Sequence, residues 1–119
     1  MPVGSKMVVY SDGTNINLVS LQKGYYSISS AYTAVDGDQL IIDTSSAAVT
    51  VTLPASPSVG EEVTFIDATG TFGSNNLTVG RNSSNINGSA SDLTVSTNGA
   101  AFTLVYLNAT RGWSYKDKI

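Results

Sequence analysis

The side chains of this chain that could do chemistry are few, and their spacing restricts them further. Asp36 and Asp38 flank Gly37, with Asp43 close by, and Glu61 adjoins Glu62. An Asp-x-Asp pair is the start of an acid–base site or of a calcium loop, but the rest of an EF-hand loop, including its closing Glu, is missing. Asp36-Gly37-Asp38 is therefore read as turn chemistry, with the carboxylates bonding local backbone N–H groups. Successive residues of a strand point to opposite faces, so Glu61 and Glu62 cannot act as a pair and are read as exposed charges guarding the mouth of a strand. The chain has no His and no Cys. That removes the Ser-His-Asp and Cys-His couples, imidazole and thiolate metal sites, and any disulfide scaffold. No nucleophile elbow, phosphate-cradling Gly-rich loop, dinucleotide fingerprint or zinc-protease motif occurs. The expectation is a non-enzymatic protein with no cofactor and no metal site.

Aromatic residues form the other chemically useful set: Tyr10, Tyr25, Tyr26, Tyr32, Tyr106, Tyr115, Trp113 and three Phe. Exposed on a sheet, Tyr and Trp stack on sugar rings while nearby Asn and Thr bond the hydroxyls. The same side chains also serve as core and interface anchors with one polar tip, the commoner role. Trp113, Tyr115 and Tyr26 are the candidates for glycan contact. Asn-x-Ser/Thr triplets at Asn76, Asn82, Asn87 and Asn108 are expected by chance in a chain this rich in Asn, Ser and Thr.

The elements that must position these residues read as strands. Val, Ile and Thr total 32, against 10 for Glu, Gln, Lys and Arg together, which favours sheet over helix. Strands are expected at 6–11, 16–21, 25–33, 39–44, 48–53, 62–68, 77–81, 92–97, 102–107 and 113–116, separated by turn residues at the spacing of a sandwich or barrel. Alternation is clean in Val49-Thr50-Val51-Thr52-Leu53. Phe102-Thr103-Leu104-Val105-Tyr106-Leu107 is apolar on both faces, so it is either central and covered twice or meets another subunit. Phe102, Leu104, Tyr106, Val105 and Leu107 are accordingly the candidate interface. The fold expected is an all-β, antiparallel, jelly-roll-like sandwich over 25–119, preceded by an N-terminal hairpin segment over 1–24. A net charge of −3 argues against a nucleic-acid partner. No apolar run is long enough for membrane insertion as a helix, and Met1-Pro2-Val3-Gly4-Ser5-Lys6 lacks the pattern of an export leader.

Longer stretches carry a resemblance. Tyr32-Thr33-Ala34-Val35-Asp36-Gly37-Asp38-Gln39-Leu40 and Val49-Thr50-Val51-Thr52-Leu53-Pro54-Ala55-Ser56-Pro57 resemble a β-rich module of tailed-bacteriophage virion appendage proteins. So do Val59-Gly60-Glu61-Glu62-Val63-Thr64-Phe65-Ile66-Asp67, Asn75-Asn76-Leu77-Thr78-Val79-Gly80-Arg81-Asn82, Ile86-Asn87-Gly88, and Leu104-Val105-Tyr106 ahead of Gly112-Trp113. Gly4-Ser5-Lys6 and Val8-Val9-Tyr10-Ser11-Asp12-Gly13-Thr14-Asn15 are similar to the strand–turn–strand that often precedes it. The resemblance implies a homotrimer on the outer surface of a virion, as tail fibre, head fibre or capsid decoration, partnered by other virion proteins. The alternative reading is a fibre-tip module that binds a host-surface glycan. With no heptad stalk and no repeat array, the chain is expected to be a small decoration-type protein or a distal piece of a longer fibre.

Overall fold

The computed structural model describes residues 24–116, and every regular element among them is a strand. They are β1 Tyr25–Ile28, β2 Tyr32–Thr33, β3 Gln39–Ile42, β4 Val49–Thr52, β5 Glu62–Asp67, β6 Leu77–Gly80, β7 Leu93–Val95, β8 Ala101–Asn108 and β9 Gly112–Tyr115. The strands expected at 6–11 and 16–21, which make up the N-terminal hairpin, lie outside the described residues. The single strand expected over 25–33 is two strands, β1 and β2, broken at Ser29-Ser30-Ala31 and placed in different sheets.

One sheet has the order β1-β3-β5-β8-β9 and the other β2-β4-β6-β7. From β1 to β6 the chain alternates between them, so each return lays a new strand beside the previous one in the same direction. The pairs β1–β3, β3–β5, β2–β4 and β4–β6 are therefore parallel. Only then does the chain reverse, and β6–β7, β5–β8 and β8–β9 are antiparallel. The all-β, two-sheet, sandwich-like architecture agrees with the expectation, whereas the antiparallel, jelly-roll-like pairing does not. Side-chain alternation has period two in either pairing mode, so the local pattern that located the strands carried no information on their direction.

The two inner faces meet in one apolar cluster. Leu40, Ile42, Val63, Phe65, Leu104 and Trp113 come from the five-stranded sheet, and Val49, Val51, Leu77 and Val79 from the four-stranded one; all are essentially inaccessible. Full burial of such side chains stabilises by about 1.5–3 kcal/mol each. The one ion pair among the described residues, Lys116 with Glu62, is half-exposed at 3.3 Å and contributes at most about 1 kcal/mol. The apolar core therefore dominates. On the outer face of the four-stranded sheet the alternation delivers Thr50, Thr78 and Thr94 directly opposite one another across three strands, and Thr33 opposite Thr52.

The β9 edge is covered. Trp113 donates its backbone N–H to Asn85 O at 2.8 Å, and Asn87 donates to Trp113 O at 2.6 Å, so the 85–87 segment lies along β9 and shields it. This approach depends on Gly112, whose φ is +68° and where a Cβ would sit 1.9 Å from Asn85 O. Gly60 is the control, with φ of +93° and nothing within 4 Å of an added Cβ. Gly60→Ala should cost about 1–2 kcal/mol from the left-handed backbone alone. Gly112→Ala adds a backbone collision and should lose at least about 3 kcal/mol or fail to fold, read from denaturant unfolding curves. Equal losses at both positions would refute the close-approach account.

Candidate functional site

The in-register stacking of the five-stranded sheet builds a row of side chains across its outer face. Tyr25 of β1 stands opposite Gln39 of β3, Gln39 opposite Thr64 of β5, and Thr64 opposite Thr103 of β8. Their neighbours Leu40, Val63, Phe65 and Leu104 are buried, which fixes the row on the solvent side. Lys116, just beyond β9, joins by donating its backbone N–H to Thr103 O at 3.0 Å. Gln39, Thr64 and Thr103 of this row line a polar groove of about 390 Å³, walled also by Gly37, Asp38, Glu62 and Lys116, and Tyr25 stands beyond its wall on the edge strand β1.

The groove is held from below by turn chemistry of the kind expected for Asp36-Gly37-Asp38. Asp38 Oδ2 accepts from the Val35 N–H and from the Tyr32 hydroxyl, each at 2.9 Å. Asp36 Oδ1 accepts from Glu62 N–H at 2.9 Å, and Gly37 N–H donates to Glu62 O at 2.8 Å, fastening the turn to the start of β5. Burial, followed by the bond to Asp38, raises the Tyr32 hydroxyl above its ordinary value and keeps it a donor. Within the groove the Thr64 and Thr103 hydroxyls are 2.9 Å apart. One O–H is used between them, so the pair keeps one donor and several lone pairs for a ligand. Among the described residues, no three His, Cys, Asp or Glu side chains are grouped to hold a metal ion.

The residues singled out in the sequence are distributed differently from expectation. Trp113 is no stacking face: it is fully buried, edge-on to Tyr106 at 5.7 Å, with its indole N–H lacking an acceptor. The cause is β9's position between β8 and the 85–87 segment. Tyr115 is half-buried and packs edge-on to Phe102, and Tyr26, 52% exposed, leans on Tyr32 at 5.3 Å. These three do not converge on one site. The candidate interface also divides. Leu104 is wholly inside and cannot meet a neighbour, whereas Phe102 and Tyr106 are partly buried and pack against the core from the same face. Val105 lies on the opposite face, and Leu107 is exposed at a bulge where β8 and β9 shift register.

No protein-family model matches the chain, and no curated protein matches it. Function therefore has to be read from the arrangement of its own residues. The row Tyr25–Gln39–Thr64–Thr103 was missed in the sequence because its members are far apart and share no motif. Only the strand register aligns them, parallel from β1 to β5 and antiparallel from β5 to β8.

A second constellation is structural. Asp67, the last residue of β5, turns inward and is 9% exposed. Its Oδ1 accepts from the N–H groups of Thr69, Gly70 and Thr71 at 3.2, 2.9 and 3.3 Å, and its Oδ2 from Phe72 and Gly99 at 3.2 and 2.9 Å. Burial pushes this carboxyl up, but the N–H donors outweigh it and hold the group below the ordinary carboxylate range. The folded value lies below the unfolded one of about 3.9, so the stabilisation is present above that pH and is lost as pH falls through the folded value. Asp67→Asn, which keeps the shape but loses the charge and one acceptor oxygen, should cost about 3 kcal/mol at neutral pH. Its acid unfolding profile should also be flatter than that of the wild type. A variant as stable as wild type, with the same acid profile, would show that the carboxylate is dispensable.

Proposed function

We propose that the chain is a non-enzymatic structural protein of a bacteriophage virion, a homotrimeric head-fibre, capsid-decoration or fibre-tip module on the particle's outer surface. Self-association and contacts with other virion proteins run through apolar surface. The observation that carries the reading is an aliphatic cluster at one end of the sandwich. Val35, Val59 and Leu107 are 58%, 76% and 40% exposed. They sit on segments tied side by side, since Gly37 N–H bonds Glu62 O and Gly60 N–H bonds Tyr106 O. Val105, on the outer face of β8, extends the patch towards Glu62, its cross-strand partner. An apolar centre rimmed by Asp36, Glu61 and Glu62 has the anatomy of a contact surface. Three copies in a ring would cover it by closed head-to-tail contacts. The carboxylates support a role without catalysis, because Asp36, Asp38 and Asp67 are occupied by backbone N–H groups. A second reading, a receptor-binding module for a host-surface glycan, is favoured by the polar row on the five-stranded sheet.

Light scattering coupled to size exclusion should give a solution mass about three times the chain's 12.4 kDa. Val59→Lys combined with Leu107→Lys should shift that mass to the monomer without changing the circular dichroism spectrum, because both side chains are exposed. A monomeric wild type would overturn the trimer. A variant that stays trimeric would move the interface elsewhere.

A further inference from the structure

We infer that the groove on the outer face of the five-stranded sheet binds a neutral oligosaccharide laid across the strands along the row Tyr25–Gln39–Thr64–Thr103. Tyr25 at one end is 51% exposed and offers a ring face on which a sugar's apolar face can stack. Next to it, Gln39 places an amide in the groove wall. The coupled Thr64 and Thr103 hydroxyls follow at the spacing of adjacent strands. Tyr25 to Thr103 spans three strand spacings, about 14 Å, enough for a short chain of sugar rings rather than a single one. Beside the threonine pair Glu62 uses Oε1 on Lys116 and has no other side-chain partner for Oε2 among the described residues, so the pair can take a vicinal diol with one acceptor and one donor.

The electrostatics select the class. Two carboxylates, Asp38 and Glu62, and one ammonium, Lys116, line the groove. The net charge there is negative, which disfavours sialylated or phosphorylated ligands. The ligand is neutral. The row is also rigid before binding. Thr is stiff at χ1, and both hydroxyls are already oriented by each other, so little side-chain freedom is lost when a ligand arrives. The inference rests on the glycan-binding reading and not on the trimer: the groove shares only Glu62 with the rim of the aliphatic cluster, and the two are read by different measurements.

The test is a titration of the isotope-labelled full chain with cellotetraose, maltotetraose and mannotetraose, and with sialyllactose as an acidic control, followed through backbone amide shifts. At least one neutral tetrasaccharide should shift the amides of Gln39, Thr64 and Thr103 saturably. Tyr25→Ala and Thr103→Val should each weaken that Kd about tenfold, the loss expected of one stacking contact or one hydrogen bond. Both positions are outside the core, so thermal unfolding should be unchanged and would expose any variant that failed to fold. The proposal is overturned if no neutral tetrasaccharide shifts these amides at millimolar concentration. It is equally overturned if the shifts map to the threonine face of the other sheet, if sialyllactose binds more tightly, or if both folded variants bind as the wild type does.

Discussion

The carboxylate of Asp67 is the interaction on which the rest of the sandwich depends. A charge turned inward at the end of β5 costs several kcal/mol unless it is compensated, and no Lys or Arg among the described residues does so. The compensation comes from backbone N–H groups of two loops, 69–72 and Gly99. The first loop carries the chain from β5 to β6 in the opposite sheet, and the second delivers it into β8 beside β5. One side chain thus anchors the crossovers on both sides of the central strand. The network spreads from there, since Gly73 N–H bonds Asn98 Oδ1 at 2.7 Å and Asn76 Nδ2 bonds Phe72 O at 2.6 Å, holding Phe72 in the core. Burial of Phe72 and hydrogen bonds to main-chain groups together fix the shape of these loops.

With the crossovers anchored, register follows, and register makes the surface. Placing β8 against β5 so that Phe102 stacks on Phe65 at 5.0 Å also sets Thr103 against Thr64 on the other side of the sheet. The core contact and the groove are two faces of one alignment. A slip of one residue would exchange them, putting hydroxyls in the core and rings in water. Selection on the fold and selection on the row therefore act on the same alignment.

Much of this was legible in the sequence, and what was not has specific physical causes. Val49, Val51 and Leu53 against Thr50 and Thr52 announced a half-buried strand, and Asp36-Gly37-Asp38 announced a turn; both are present. The break inside 25–33 was hidden because Ser29-Ser30-Ala31 contains neither Gly nor Pro. Trp113 was misread because its burial depends on the distant 85–87 segment lying along β9, which no local pattern encodes. Asp67 is in phase with the inward Val63 and Phe65, but nothing in the sequence marked what would satisfy it there. Its partners are main-chain N–H groups, which every residue but proline possesses, so a carboxylate after an alternating strand reads as ordinary surface.

The surface itself argues that recognition here is directional rather than electrostatic. With 13% charged residues and a net charge of −3, the chain has little long-range field with which to steer a partner. Away from the exposed Val35, Val59 and Leu107, the two outer sheet faces carry hydroxyl and amide groups held at strand spacing. The two outer faces use them differently. On the four-stranded sheet Thr50, Thr78 and Thr94 repeat one chemistry, whereas the row on the five-stranded sheet runs from phenol on β1 to amide on β3 to a pair of hydroxyls on β5 and β8. A uniform face cannot register a ligand at one position along itself, because each shift by a strand restores the same contacts. A graded row can, because each group it presents has a different hydrogen-bonding capacity and only one placement satisfies them together. Of the two outer faces, the graded one therefore has the arrangement that the proposed selective binding requires.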